Sequence, residues 1–341
     1  MVIYSDDLVA SNRRARIYMR IRMFERRNLG ILTAALILLS AQPRSVAAQP
    51  LQEIRIGSSV IGFSSLMSYF ARDRKFFERE GLDAKIIYAQ TNVGLAALSA
   101  GNFDYSNLST SAVEATLRGM PLRLIAVTNA EPLWGIVVRK GITHISELKG
   151  KKLGVSSFGG TSYSAALFVL KHFGLRPRED VTILATGGTT ERIAALKQTA
   201  IDAAVIPAPE DMKAEREGFK ILLDAGSVYK LPNGGMSTTL TKIKQNPTEV
   251  RKVVRALVLA TKFLVDPQNK VEVTKYLTRV FSLDPSATEE FYRRFVPSLS
   301  PSGVVEMDKV KLIVDSAVER GLINKPVEPE TLVDFSFTKG L

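Results

Sequence analysis

Short apolar strands and amphipathic helices alternate along the first part of the chain. The predicted elements are strands at 54–56, 84–88, 103–106 and 121–128 and helices at 66–77, 93–100 and 112–118. Glycines at 81, 101 and 119 follow the helical segments, as expected of helix ends. Alternation of strand and helix predicts a mostly parallel sheet covered by helices.

The same order of elements returns further along the chain. The predicted elements are strands at 152–155, 181–184 and 201–206 and helices at 162–173 and 191–198. At an offset of 98 residues, Ser58 coincides with Ser156 and Asp104 with Asp202. We therefore expect two α/β lobes built alike, with ligand-binding loops at the carboxyl ends of their strands.

Two extended segments flank the second repeat, at 133–139 and 236–243, and we expect them to be the strands that cross between lobes. The predicted lobes are 49–137 together with 241–341, and 138–240. Two such segments would form a hinge.

The chain becomes helical after Asn246-Pro247. Asn246 is a predicted N-cap, Glu249 follows it by three residues, and apolar residues recur at helical spacing up to Leu264. Further helices are predicted at 268–281, 286–296 and 306–320. We expect this region to cover the first lobe.

The first 48 residues have a different composition. They hold eight Arg, no Lys and three acidic residues, followed by an uncharged run at 29–41 and by Val46-Ala47-Ala48. This pattern is typical of a secretory signal peptide, and the apolar run is shorter than the roughly 20 residues of a membrane span. We expect cleavage after Ala48 and a periplasmic protein, with residues 1–22 an upstream extension of the reading frame.

Charge and cysteine content exclude several classes of protein. Removing residues 1–48 leaves 46 − 8 = 38 basic and 34 − 3 = 31 acidic residues, a net charge of +7, without aromatic residues among the basic ones. Nucleic acid is therefore not an expected partner. The chain has no Cys and two His, which excludes disulfides, thiolate metal sites and a cysteine nucleophile.

The segment GVSSFGGTS at 154–162 lies between a strand and a helix. It lacks the Lys-Ser/Thr pair of a P-loop and the G-x-G-x-x-G pattern of a dinucleotide site. Glu210 and Asp211 are adjacent, so on a helix they point apart and do not form an acid/base pair. The loop is predicted to bind a ligand through helix N-terminal N–H groups and not to catalyse.

The chain resembles the periplasmic solute-binding proteins of ABC importers, in the branch of sulfonate, taurine, nitrate and thiamine-pyrimidine binders. The segments that carry the resemblance are IRIGSS (54–59), FFEREGLDAKII (76–87), AALSAGNFDYS (96–106), ISELKGKKLGVSSFG (145–159), DVTILATGG (180–188), ERIAALKQTAIDAAVIPAPE (191–210) and NPTEVRKVVRAL (246–257). The resemblance implies two Rossmann-like lobes joined by a two-strand hinge, the type II periplasmic binding protein fold. It also implies a small-molecule ligand, an inner-membrane permease as partner, no cofactor and a monomer.

Position at strand ends and the resemblance together select the candidate ligand-binding residues. They are Ser59, Gln90, Thr91, Asn92, Ser109, Thr110, Trp134, Ser156, Phe158, Gly159, Gly160, Thr161, Pro209 and Glu210. Each Ser or Thr has an alternative as an ordinary N-cap, Trp134 as a core residue and Glu210 as a cap of its own helix.

Arg192 and Lys197 are interpreted as residues of a solvated helix face, so no basic residue is assigned to an anion. The expected ligand is a small organic anion resembling a sulfonate. A thiamine-type pyrimidine and an aromatic carboxylate are the alternatives. The fold is also shared, by resemblance, with a pyrimidine synthase that uses a histidine, a cysteine-rich motif and pyridoxal phosphate, but this chain has no cysteine.

Overall fold

The computed structural model describes residues 50–59, 62–158 and 161–341, so the predicted signal segment lies outside the described residues. The strands are β1 (Gln52–Ser58), β2 (Leu82–Tyr88), β3 (Tyr105–Ser106), β4 (Leu122–Asn129), β5 (Trp134–Val138), β6 (Lys152–Val155), β7 (Thr182–Ala185), β8 (Ala203–Pro207), β9 (Lys220–Asp224) and β10 (Gly234–Thr239).

The helices follow the strands closely in the first two thirds of the chain and dominate the last third. They are α1 (Leu66–Asp73), α2 (Phe76–Arg79), α3 (Thr91–Ser99), α4 (Ser109–Leu117), α5 (Thr161–His172), α6 (Thr189–Lys197), α7 (Glu210–Arg216), α8 (Leu240–Gln245), α9 (Pro247–Val265), α10 (Lys270–Phe281), α11 (Pro285–Phe295) and α12 (Met307–Glu319). Among the described residues, no helix is both long and apolar enough to span a bilayer.

The strands form two five-stranded sheets of identical topology. The first has the order β2-β1-β3-β10-β4 and the second the order β7-β6-β8-β5-β9. In each sheet the fourth strand runs antiparallel to both neighbours and the other four are parallel. The predicted pair of α/β lobes is confirmed.

The chain passes from the first sheet to the second between Asn129 and Trp134, and returns between Asp224 and Gly234. The predicted crossing segment 133–139 therefore lies largely within the second sheet as β5. The crossing takes place just before the predicted strand.

The prediction of an extended segment at 236–243 is wrong after Thr239. There the side chain of Thr239 accepts a hydrogen bond from the backbone N–H of Lys242 at 3.0 Å, and helix α8 begins. Only 236–239 belongs to β10, in the first sheet.

The first connection joins the carboxyl edges of the two sheets. Strand β4 ends at Asn129, and β5 begins at Trp134, which lies opposite Pro207 at the end of β8. Only residues 130–133 separate these points, and a chain spans at most about 3.6 Å per residue. The two carboxyl edges are thus held within about 18 Å of each other beside the connection.

The C-terminal helices supply much of the core under the first sheet. Ile54 of β1, Phe70 of α1, Leu257 of α9 and Phe291 of α11 are buried in one apolar cluster. Helix α12 contributes to a second cluster, where Val310 packs with residues of both sheets. The C-terminal region therefore covers the first sheet and also reaches the second.

Two local predictions fail for identifiable reasons. The helix expected at 66–77 is divided because Lys75 takes a left-handed backbone conformation, with φ of 61°. The side chain of Asn246 makes no cap hydrogen bond, and Glu249 turns instead towards Tyr105 and Lys242.

Candidate ligand-binding site

The first-lobe candidates lie on three loops at the carboxyl edge of the first sheet. Ser59 follows β1 and is half-buried, and Gln90 precedes α3 and is exposed. Thr91 and Asn92 are the first two residues of α3, and the side chain of Gln90 makes no cap hydrogen bond. Gln90 occupies the N-cap position of α3, so Thr91 does not have the N-cap role that was its alternative.

Ser109 and Thr110 begin α4, and both are buried. The residue at the N-cap position is Leu108, which has no side-chain acceptor for the first N–H groups of the helix. The Oγ of Ser109 has no hydrogen-bond partner among the described residues. The Oγ1 of Thr110 donates to the carbonyl of Pro232, on the connection that returns to the first sheet.

Two asparagines that the sequence analysis did not select share this edge. Asn129 is fully buried at the end of β4, and its Oδ1 accepts a hydrogen bond from Thr128 Oγ1 at 2.8 Å. The Nδ2 of Asn129, the other polar atom of this amide, has no hydrogen-bond partner in the described part of the chain. The Nδ2 of buried Asn107, which follows β3, is likewise without a partner there.

Gly234 allows the close approach that buries Asn129. It lies opposite Asn129 in the register of β10 with β4. A Cβ at Gly234 would lie 2.2 Å from the Oδ1 of Asn129, which no side chain tolerates. The amide is therefore packed against backbone at the point where the chain re-enters the first sheet.

A buried polar network holds β3, a strand of two residues, in place. Tyr105 donates from its hydroxyl to Glu249 Oε1 at 2.7 Å, and Lys242 Nζ lies 2.7 Å from the same oxygen. Lys242 also pairs with Asp104 at 2.9 Å. Burial, followed by the charge of Glu249, raises the pKa of Tyr105. The network fixes the position of the residues that follow β3, including Asn107.

The second-lobe candidates gather at the carboxyl end of β6. The backbone N–H of Ser156 donates to Ser162 Oγ at 2.8 Å, and the two hydroxyls share a hydrogen bond at 2.7 Å. Phe158 is 61% exposed and packs edge-on against Tyr163. Thr161 is the half-buried first residue of α5. Gly159 and Gly160 lie outside the described residues.

Pro209 and Glu210 lie at the carboxyl end of β8. Pro209 occupies the N-cap position of α7, and Glu210 is its first residue, with a pKa raised chiefly by burial. Trp134 is only 8% exposed and belongs to the core cluster of the second sheet. Trp134 is therefore a core residue, which was the alternative to ligand binding.

The prediction that Arg192 lies on a solvated helix face is wrong. Arg192 is 4% exposed, whereas Lys197 is exposed and pairs with Glu217 at 2.8 Å. Burial lowers the pKa of Arg192 to about 10. The difference arises because Arg192 shares the inward face of α6 with Ala195 and Leu196.

The carboxylates of Glu210 and Asp211 have separate surroundings, as predicted for adjacent helical residues. Asp211 is fully buried and pairs with Arg294 of α11 at 2.9 Å. Within the described residues, no group of three or more His, Asp or Glu side chains is placed to hold a metal ion.

Comparison with known proteins gives a family and a fold. A model of the family described as NMT1/THI5 like matches residues 63–270. A binding protein from Brucella abortus is 23% identical over 301 residues, covering 84% of this chain and 91% of that protein. The yeast 4-amino-5-hydroxymethyl-2-methylpyrimidine phosphate synthase THI11, from Saccharomyces cerevisiae, is 28% identical over 58% of this chain and 63% of the enzyme.

Among solved structures, the alkanesulfonate-binding protein SsuA from Xanthomonas axonopodis pv. citri, bound to MOPS, has a TM-score of 0.68. It is 22% identical and covers 83% of this chain and 98% of its own. This likeness confirms the predicted fold class, two Rossmann-like lobes of the type II periplasmic binding protein kind.

Proposed function

We propose that this chain, which belongs to the NMT1/THI5-like family, is the extracytoplasmic solute-binding component of an ABC importer. It holds a small organic anion between its lobes and delivers that solute to a membrane permease. It acts as a periplasmic monomer, without a cofactor and without making or breaking a bond.

The observation that carries this proposal is a set of buried donors at the carboxyl edge of the first sheet. Asn107 Nδ2, Ser109 Oγ and Asn129 Nδ2 are buried without acceptors among the described residues. A buried donor without an acceptor costs about 1–3 kcal/mol. A ligand with several acceptor oxygens on one group, such as a sulfonate or carboxylate, offsets that cost.

The N-terminus of α4 adds to this preference for acceptors. Its first N–H groups point towards the same edge and carry partial positive charge, which stabilises an anion by ~0.3–1 kcal/mol. Ligand contacts from both lobes would favour a closed arrangement that the permease recognises.

A second ligand class is favoured by exposed aromatic side chains. Tyr88, at the end of β2, is 70% exposed, and Phe158, after β6, is 61% exposed. Both lie at the carboxyl edges of their sheets, where a planar ligand can stack on them. A thiamine-type pyrimidine or an aromatic carboxylate is therefore the alternative ligand.

A thermal-shift screen of the purified protein tests the binding function. The panel contains alkanesulfonates, nitrate, aromatic carboxylates and pyrimidines. A ligand at one hundred times its Kd stabilises the protein by ~2.7 kcal/mol, which corresponds to about 4 °C in Tm for a chain of this size. A panel in which only neutral heterocycles raise the Tm would refute the anion assignment, and one without any effect would refute the proposal.

Replacement of Ser109 separates affinity from stability. Because its Oγ bonds no other described residue, Ser109→Ala does not lower the Tm of the free protein but weakens the best anion roughly tenfold. The matched control is Ser99→Ala, at the far end of α3, which changes neither quantity. Equal ligand affinity of the two variants would remove Ser109 from the site.

A further inference from the structure

We propose that Arg192, at the start of α6 in the second lobe, is the residue that selects an anionic ligand. The inference rests on the proposed binding function and names the charge that this function requires. The guanidinium of Arg192 would contact the carboxylate or sulfonate group of a solute held between the lobes.

The guanidinium is turned towards the N-terminus of α6. Its Nη1 donates to the carbonyl of Gly187 at 3.2 Å, and its Nη2 donates to Thr189 Oγ1 at 3.1 Å. The Nε is buried and has no hydrogen-bond partner among the described residues. A guanidinium has five N–H donors, so these two bonds orient the group and leave donors for a ligand.

No described residue neutralises this buried charge. Arg192 forms no ion pair within 4.0 Å in the described ranges, and Glu191 is the one nearby carboxylate that acts on it electrostatically. The carboxylate of Glu191 is exposed and lies over Gly188, where its Oε2 would be 2.5 Å from a Cβ. Arg192 is therefore a cation that is buried without a paired anion.

The position of Arg192 makes this arrangement unfavourable for an empty protein. The N-terminus of a helix carries partial positive charge, which disfavours a cation and favours an anion. A buried charge is normally paired or hydrogen-bonded. An anion bound at this point reduces both penalties, because it interacts with the guanidinium and with the positive end of the α6 dipole together.

Arg192 also lies on the correct edge of its sheet. Helix α6 follows directly on β7, which runs parallel to β6 and ends at the same edge as Ser156. That edge is connected to the first-lobe donors through residues 130–133. A planar guanidinium bonds carboxylate and sulfonate oxygens in pairs, whereas lysine provides a point charge.

Two matched pairs of probes test the inference: 1-butanesulfonate with 1-butanesulfonamide, and benzoate with benzamide. Each pair keeps its size and replaces an anion with a neutral group. Calorimetric titration compares the wild type with Arg192→Gln, Arg192→Lys and the control Lys197→Gln, which changes an exposed cation of the same helix.

We expect the wild type to bind the anion of at least one pair. Arg192→Gln should weaken that anion about 10- to 100-fold and change the neutral partner by less than about twofold. Arg192→Lys should fall between, and Lys197→Gln should match the wild type. Equal weakening of both members of a pair, or wild-type affinity in Arg192→Gln, would overturn the inference.

The outcomes separate this inference from the proposed function. If the wild type binds an anion and Arg192→Gln binds it equally well, solute binding stands and the role of Arg192 fails. If the wild type binds neutral probes alone, the anion assignment and Arg192 fail together while solute binding stands. If it binds none of the four, the proposed organic-anion binding fails as well.

A spectroscopic measurement on the wild type covers the case in which Arg192→Gln does not fold. The ¹⁵N resonance of the Arg192 side-chain Nε–H is assigned by its loss in Arg192→Lys. Titration with 1-butanesulfonate or benzoate should shift this resonance in step with binding. A resonance that stays unchanged at saturation would overturn the inference.

Discussion

The hydrogen bond between Tyr105 and Glu249 can be tested by a double-mutant cycle. The hydroxyl of Tyr105 lies 2.7 Å from Glu249 Oε1, and the tyrosine is fully buried. Glu249 also forms an ion pair with Lys242 at 2.7 Å and accepts a hydrogen bond from the side-chain amide of Gln52. The variants are Tyr105→Phe, Glu249→Ala and the combination of the two.

The expected magnitudes follow from which groups lose their partners. Tyr105→Phe removes one bond to a charged acceptor and should cost about 2 kcal/mol. Glu249→Ala should cost about 3 kcal/mol, which is the lower end of the range for breaking a buried ion pair. The cost is at the lower end because Lys242 retains its ion pair with Asp104 at 2.9 Å. In the double variant no buried hydroxyl is left unpaired, so its cost should be about 3 kcal/mol, below the sum of the single costs.

Urea unfolding followed by far-UV circular dichroism gives the three free energies. A coupling of about 1.5–2 kcal/mol is expected, well above the scatter of independent sites, which is about 0.5 kcal/mol. Additive costs would show that the bond does not hold β3. Ligand affinity should also fall in Tyr105→Phe, because β3 positions Asn107, although Tyr105 itself touches no ligand in this proposal.

Two further predictions concern the second lobe. Burial raises the pKa of Asp211 from 3.8 to about 6, so its contribution to stability is complete below pH 4 and is lost as the pH rises through 6. Relative to Asp211→Asn, the wild type should therefore lose roughly 1–3 kcal/mol of unfolding free energy between pH 4 and 7 in urea titrations, and a pH-independent difference would contradict this. Thr161→Ala, at the first position of α5, should weaken ligand affinity with an unchanged Tm, and unchanged affinity in the titration would exclude Thr161 from the site.

Most of the fold could be predicted from the internal repeat in the sequence. The offset of 98 residues carries Tyr105, the start of β3, onto Ala203, the start of β8. The same offset carries Leu122, the start of β4, onto Lys220, the start of β9, a strand that the pattern alone did not predict. Strand β9 has five residues, which are too few to show a clear alternation of apolar and polar positions. Its position nevertheless follows from the repeat.

The burial of Arg192, the proposed charged residue of the site, is hard to predict from its residue type. An arginine on a helix is usually solvated, so Arg192 was interpreted in that way. Its spacing of three and four residues from Ala195 and Leu196 places it on the buried face, and this spacing is a signal that the sequence did contain.

The asparagines had no comparable local signal. Asn129 ends a strand, and its burial depends on Gly234, which lies more than a hundred residues further along the chain. The pairing of Glu249 with Tyr105 likewise joins residues 144 positions apart. Such contacts follow from how the sheet is assembled, and periodicity within one segment does not report them.

The order of strands in the two sheets places Asn129 close to the connection between the sheets and Arg192 far from it. The two residues therefore have different roles in the proposed site. Asn129 lies on β4, directly beside the connection at residues 130–133, so rotation of one lobe against the other moves it little. Arg192 follows β7, three strands away from β5, or about 14 Å at the usual spacing. Rotation about the connections therefore moves Arg192 much further than it moves Asn129. In the proposed function, the first lobe receives the solute near the connections between the sheets, and closure of the second lobe brings the Arg192 cation onto it.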